Sequence, residues 1–305
     1  MEYKPFGTTG LRVSPLGIGL AEIGFQLDSA AADHAGRVLN TALDLGINFV
    51  DTAGCYGVAE ELMGKTIAGR RDDYVLSSKT GHMIGDCGAD GWSRECIATS
   101  IDRSLKRMKT DHIDIMHLHS CSLDVLKRGE AIRALEDARE AGKIHFAAYS
   151  GDNEAVEWAA EIGSFAVLQT SFNLVDQRAR KTLLDQVAKH NLGLIAKRPI
   201  LNGTWRTAAD PDPYKNGYGG EYFSRQKQMC EGRARFVDEP DDPILASLGY
   251  VFSHPEVGVA IVGSKNEKHV RANVAMLESM PLSSAFVDEV ERRFDELGTH
   301  WRQQT

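Results

Sequence analysis

The chain has 305 residues, 42% of them hydrophobic and 26% charged, with a formal net charge of -8. That length suits one barrel-sized domain of about 250 residues or two of about 150, and the acidic balance disfavours nucleic acid as a partner, because that needs a basic face. The five cysteines, Cys55, Cys87, Cys96, Cys121 and Cys230, include no CxxC pair, so a reduced, cytoplasmic protein is expected.

The first residues, Met1-Glu2-Tyr3-Lys4-Pro5, carry charge and no apolar core, so no signal peptide is expected there. From Phe6 to Gly19 the chain reads as a hairpin around Gly7-Thr8-Thr9-Gly10 that passes into a first strand near 16–20. A helix near 31–45 ends at Gly46, and the strand Ile47-Asn48-Phe49-Val50-Asp51 follows. The alternation continues with a helix at 58–69, a strand at 73–79, a helix at 93–108 and a strand at 112–119. Next come a helix at 123–142, a strand at 144–150, a helix at 153–162, a strand at 165–171, a helix at 177–191 and a strand at 193–198. The stretch 201–241 is irregular and holds Trp205, Tyr214, Tyr218, Tyr222 and Phe223. A loop this long suggests a functional cover over one face. A helix near 243–253, the strand 258–262, and helices near 266–278 and 284–297 complete the chain. No apolar run approaches the ~20 residues of a membrane span.

The strands are mostly continuous apolar runs, as in a parallel sheet buried on both faces. Eight of them, each followed by a helix, predict an α/β fold: one (β/α)8 TIM barrel over residues 1–305 with an extra C-terminal helix. The rival is a doubly wound open sheet. It would carry GxGxxG after its first strand, but after Gly17-Ile18-Gly19 the third glycine position holds Glu22.

Barrel enzymes place their chemistry at the C-terminal strand ends. There the sequence offers Asp51 after the second strand, with Tyr56 in the loop beyond it, Lys79 after the third and His119 after the fourth. Singly, each has a plainer use: Asp51 as a turn cap, Tyr56 as a loop aromatic, His119 as a satisfied core histidine. Lysine, however, rarely ends a buried strand without a partner. Together they suit protonation of a developing alkoxide. An ammonium lowers the pKa of a phenol that ordinarily titrates near ~10, a carboxylate holds the ammonium, and an imidazole orients the carbonyl oxygen. His117 shares the parity of His119 one step deeper and reads as structural.

The blocks Gly46-Ile47-Asn48-Phe49-Val50-Asp51-Thr52-Ala53, Tyr56-Gly57 and Glu60 through Gly64 resemble the aldo-keto reductase signature. Ser78-Lys79-Thr80, Asp114 through His119, Gln169 with Asn173, and Ile261-Val262-Gly263-Ser264 continue the resemblance in order. It implies a catalytic tetrad of Asp51, Tyr56, Lys79 and His119, a hairpin closing the barrel bottom, and an NADP(H) or NAD(H) cofactor across the mouth. It also implies metal-free reduction of an aldehyde or ketone, a small carbonyl substrate, to an alcohol.

For the cofactor, the resemblance implies Ser150 and Gln169 as carboxamide ligands, with the family's asparagine displaced here to Asn153. Where many members carry an aromatic that stacks on nicotinamide, this chain has Lys197-Arg198-Pro199-Ile200, and Arg198 suits a pyrophosphate instead. At the last strand Gly263, Ser264 and Lys265 open a helix whose N–H groups suit phosphate, with Arg271 and Asn273 beyond. NADPH is expected over NADH, although Gly263 and His269 stand where many members have basic residues. Two alternatives remain open: a Schiff-base lyase using Lys79, and a cofactor-binding regulatory subunit with little turnover.

Overall fold

A continuous apolar strand needs neighbours on both sides and cover on both faces, and a closed barrel ringed by helices supplies both. In the computed structural model, which describes residues 1–82, 91–208 and 218–304, eight parallel strands close such a barrel. They are β1 (Leu16–Gly19), β2 (Phe49–Asp51), β3 (Val75–Thr80), β4 (Ile113–His119), β5 (Ile144–Ser150), β6 (Val167–Ser171), β7 (Gly193–Lys197) and β8 (Val259–Gly263). They run in sequence order round the barrel, and β8 pairs with both β7 and β1. The fold is the expected (β/α)8 barrel.

Alternation along the strands positions the site. Phe49, Val75, Ile115, Ala148, Val167, Ile195 and Val259 form the core inside the barrel. Successive side chains point to opposite faces. Asp51 therefore lies two places beyond Phe49 on the inward face, Lys79 four beyond Val75 and His119 four beyond Ile115. By the same parity Ser150, Gln169 and Lys197 each lie two places beyond an inward apolar residue. The lower barrel is apolar and its C-terminal rim polar.

The N-terminal end is plugged. Lys4–Pro5 pairs antiparallel with Arg12–Val13, and Phe6 enters the barrel bottom edge-on to Phe49, ring centroids 5.9 Å apart. Two glycines make room for that ring: a Cβ on Gly193 or Gly258 would come within 2.8 or 2.7 Å of it. Burying such a side chain contributes ~1.5–3 kcal/mol. A second core between barrel and helices includes Leu39, Leu62, Ile101 and Leu135.

Several elements depart from the sequence expectation. The helix read over 123–142 is two, Leu123–Arg128 and Glu130–Glu140, because Gly129 adopts φ +73 between them. That read over 177–191 breaks at Leu183 into Arg178–Thr182 and Leu184–His190. A short helix, Ala21–Gln26, was not anticipated.

The stretch 201–241 is not loop throughout, since Tyr218–Cys230 is a helix. Its buried Tyr222, Arg225, Gln226 and Met229 recur at helical spacing, a pattern that neighbouring glycines and charges disguise. Two of the aromatics of this stretch are built into the core. Trp205 is buried against Phe236 and donates from Nε1 to Glu239 at 3.1 Å, and the fully buried Tyr222 donates to Asp176 at 3.2 Å. Tyr214 and the side chain of Tyr218 lie outside the described residues.

Cys55, Cys121 and Cys230 are free, but Cys96 is disulfide-bonded, a pairing that sequence spacing did not suggest; Cys87 lies outside the described residues. Among the described residues no helix is long and apolar enough to cross a membrane.

Candidate active site

The rim of the barrel brings Asp51 and Lys79 together from adjacent strands. Lys79 Nζ lies 2.5 Å from Asp51 Oδ2 and donates also to the Thr52 carbonyl at 2.9 Å. Asp51 Oδ1 accepts from Ser77 Oγ and from Gln169 Nε2, each at 2.9 Å. A buried ion pair is tolerable only when its remaining polar atoms are satisfied, and these bonds do that. Burial works against the charge on Lys79. The Asp51 carboxylate, hydrogen-bonded to the ammonium, is the main group opposing it, and the lysine sits above its ordinary pKa and stays protonated.

Tyr56 leaves β2 on the following loop and leans over this pair. The Lys79 ammonium lies 5.0 Å from its ring centroid. The ring meets His119 edge-on at 5.8 Å and Phe25 at 5.6 Å. Burial pushes the phenol pKa up, and Lys79 opposes this most strongly.

His119 ends β4 with its Nδ1 3.4 Å from Cys55 Sγ and its ring 4.7 Å from that of His82. Burial, followed by the Lys79 charge, holds its pKa well below the usual histidine value, so the ring is neutral. The deeper His117 is fully buried, faces Ser77 Oγ at 3.1 Å, and is pushed down to about 3, burial first and Lys79 second. It braces the serine that bonds Asp51. Cys55, His82 and Phe25 were missed in the sequence; none lies on a strand, so no parity rule picks them out.

Of the residues expected to meet a cofactor, Ser150 and Gln169 join this network. Ser150 Oγ donates to Gln169 Oε1 at 2.8 Å. The glutamine keeps a second N–H and a second lone pair, which suits a primary carboxamide. Where an aromatic was looked for after β7, Lys197 instead forms an ion pair with the buried Asp152 at 2.7 Å. Burial lowers the pKa of Lys197 despite that carboxylate, while Asp152, penalised first by burial, is held low by Lys197 and Arg198.

Arg198, with φ +56, turns toward the C-terminus: its Nη1 donates to Ser171 Oγ at 2.7 Å and to the Gln304 carbonyl. Gln303 donates to Thr170 Oγ1 at 3.0 Å and to the Ser171 carbonyl at 2.7 Å, and accepts from Asn153 N at 2.8 Å. Asn153 is therefore committed to the C-terminal segment, which grips the ends of β5 and β6. Sequence reasoning gave no sign of this.

The other end of the rim is separate. Gly263 pairs with Gly19, and a Cβ there would meet only Gly19 O at 3.5 Å and Glu22 Cβ at 4.0 Å. Ser264 is buried and its Oγ accepts from Asn266 N at 3.0 Å. Lys265 Nζ donates to Gln26 Oε1, and its carbonyl contacts His34 Nε2 at 2.7 Å. Arg271 is exposed and Asn273 half-buried on the helix Glu267–Met276. Glu267 of that helix turns to Arg37 at 3.4 Å.

A protonated lysine, a carboxylate, a phenol and a neutral imidazole thus converge at one mouth, an arrangement that can deliver a proton to an oxygen gaining negative charge. The family model described as the Aldo/keto reductase family matches residues 15–293. L-glyceraldehyde 3-phosphate reductase of Escherichia coli O157:H7 is 30% identical, covering 96% of this chain and 92% of its own length. A probable voltage-gated potassium channel subunit beta of Arabidopsis thaliana is 28% identical over 96% of both. Among solved structures, the holo form of an aldo-keto reductase from Bacillus halodurans superposes with a TM-score of 0.79, at 26% identity and 96% coverage of each chain.

Proposed function

The chain belongs to the aldo/keto reductase family, and from that premise we propose that it reduces an aldehyde or ketone with NADPH, taking the proton from Tyr56. The observation that carries this reading is the Lys79 ammonium, clamped at 2.5 Å to Asp51 and 5.0 Å from the Tyr56 ring. A bound dihydronicotinamide supplies the hydride. Ser150 and Gln169 have spare donors and acceptors for its carboxamide.

The chain's own residues do the rest. Burial raises the Cys55 thiol pKa, so it stays protonated and can donate to His119 Nδ1, 3.4 Å away, when the imidazole is in its Nε2–H tautomer. The imidazole then carries its own proton on Nε2 and can donate to a carbonyl oxygen. As that oxygen gains charge, Tyr56 transfers its proton, and the adjacent ammonium stabilises the phenolate left behind. Lys79 is itself protonated, which argues against its acting as a Schiff-base nucleophile.

The preference for NADPH rests on Ser264 and Lys265 at the start of a helix. It is supported by Glu267 being turned to Arg37. The exposed Arg271 adds positive charge on the same helix. Arg198 is held by Ser171 and the Gln304 carbonyl, so meeting a pyrophosphate would require it to leave them.

A second reading, a cofactor-binding subunit with little turnover, is favoured by the likeness to the Arabidopsis channel subunit and by the Lys197–Asp152 pair in place of a stacking ring. The test is quenching of protein fluorescence by NADPH and NADH, followed by cofactor oxidation with a panel of aldehydes and ketones. We expect saturable quenching and turnover with at least one carbonyl. Tight binding with no turnover supports the subunit, and absence of binding overturns both.

A further inference from the structure

At the opposite end of the barrel, three side chains that play no part in the reaction above share one spot. His112 precedes β4, Asp114 lies within it, and His145 lies on β5. The pairing of Ile113 with Ile144 and Ile115 with Phe146 sets Asp114 beside His145. Ile115 faces the barrel interior, so residues 112, 114 and 145 point outward together. Asp114 Oδ1 lies 3.3 Å from His145 Nδ1 and 3.9 Å from His112 Nε2, and one donor atom from each residue falls within 4.8 Å of the others.

We propose that His112, Asp114 and His145 form a binding site for an imidazole-preferring divalent transition metal such as Zn2+. Ligands 2.0–2.2 Å from a tetrahedral ion sit ~3.4 Å apart, so the observed separations need only small ring rotations. The atoms are also free in the right way. The carboxylate divides its work: Oδ2 accepts from Arg71 at 2.6 Å and from Leu76 N at 2.8 Å, which fixes the group and leaves Oδ1 toward the histidines. His112 Nδ1 is occupied by the Asp111 carboxylate at 2.7 Å, which leaves Nε2 for the metal. A carboxylate behind a ligating imidazole orients it and raises its basicity. The two rings lie nearly parallel, 4.5 Å apart, so the pair is already ordered. His145 is 47% exposed, so solvent can complete the coordination.

Two imidazoles and one carboxylate select zinc, copper or nickel over magnesium or calcium, which prefer all-oxygen sites. The Arg71 guanidinium beside Asp114 opposes a cation, so the affinity falls short of a closed structural site. A metal here would tie β4 to β5 at the end remote from the mouth.

The test uses the full-length, untagged, chelator-treated protein, titrated with Zn2+ and with Co2+ as a visible probe. We expect one equivalent bound and a rise in Tm with Zn2+. Both should be lost in the His112→Ala/His145→Ala double variant, with carbonyl reduction unchanged. Asp111→Asn should weaken binding by about tenfold. These changes spare Asp114 and its bond to Arg71, so the fold is retained. The proposal is overturned if wild type binds no metal. It is equally overturned if the double variant binds as well as wild type, or if binding is lost with Cys55→Ala, which would assign it to the mouth.

Discussion

Replacing Lys79 with methionine tests two roles at once, because most of the unbranched stem is kept while the charge is removed. The ammonium and the Asp51 carboxylate are 1% and 2% exposed. Removing one partner of a buried pair costs ~3–5 kcal/mol, since the other charge is left uncompensated. Asp51 keeps its bonds from Ser77 and Gln169, so the loss should fall near the lower end, ~3 kcal/mol. At ~2 °C per kcal/mol for a chain of this size, Tm falls by ~6 °C. Adding Asp51→Asn removes the stranded charge and should restore part of the loss, which a double-mutant cycle reads directly.

The chemistry shifts too. Burial raises the Tyr56 pKa and Lys79 is what most opposes it, so without Lys79 the phenol becomes a weaker acid. The protonated phenol is the active form. The alkaline limb of kcat/KM should therefore move to higher pH, while the plateau falls by ~10²–10⁴. Melts and pH profiles of the two single variants and the double variant give both numbers. An unmoved alkaline limb with near wild-type turnover would refute the electrostatic role. Failure of the variant to melt cooperatively would assign Lys79 to structure alone.

The Asp176 carboxyl is pushed up to about 7, by burial first and the Asp152 charge second, from an unfolded value of ~3.9. A raised pKa contributes stability that is full below ~4 and lost as pH rises to ~7, so Asp176→Asn should flatten the fall in stability across that window by at most ~4 kcal/mol in paired urea melts. NADPH should exceed NADH in kcat/KM by ~10–100-fold, or ~1.4–2.8 kcal/mol, and Lys265→Ala should shrink that ratio mainly through KM for NADPH; an unchanged ratio would make Lys265 merely the partner of Gln26.

Much of the site was legible because strand parity is rigid. Once Phe49, Val75 and Ile115 are inward, Asp51, Lys79 and His119 can only be inward as well, two or four places higher. Ser150 and Gln169 follow from the same rule. What escaped has no such periodicity. The Lys197–Asp152 pair joins two residues whose neighbourhood depends on how β5 and β7 close round β6. The grip of Gln303 and Gln304 on Asn153, Ser171 and Arg198 spans contacts more than 100 residues apart in sequence. The helix Tyr218–Cys230 was hidden because Gly219 and Gly220 sit in its first turn, where composition argues for a loop. The break at Gly129 was readable in principle, since a glycine within a long helical pattern commonly marks a left-handed residue that ends a helix.

The most direct test of the central claim is Tyr56→Phe, which removes one hydroxyl and leaves the ring against His119 and Phe25. With NADPH and the best carbonyl found, kcat should fall by ~10²–10⁴ while the affinity for NADPH, read by fluorescence quenching, stays within a few-fold of wild type. A variant that turns over at near wild-type rate would contradict the account, because the proton would then come from somewhere other than Tyr56.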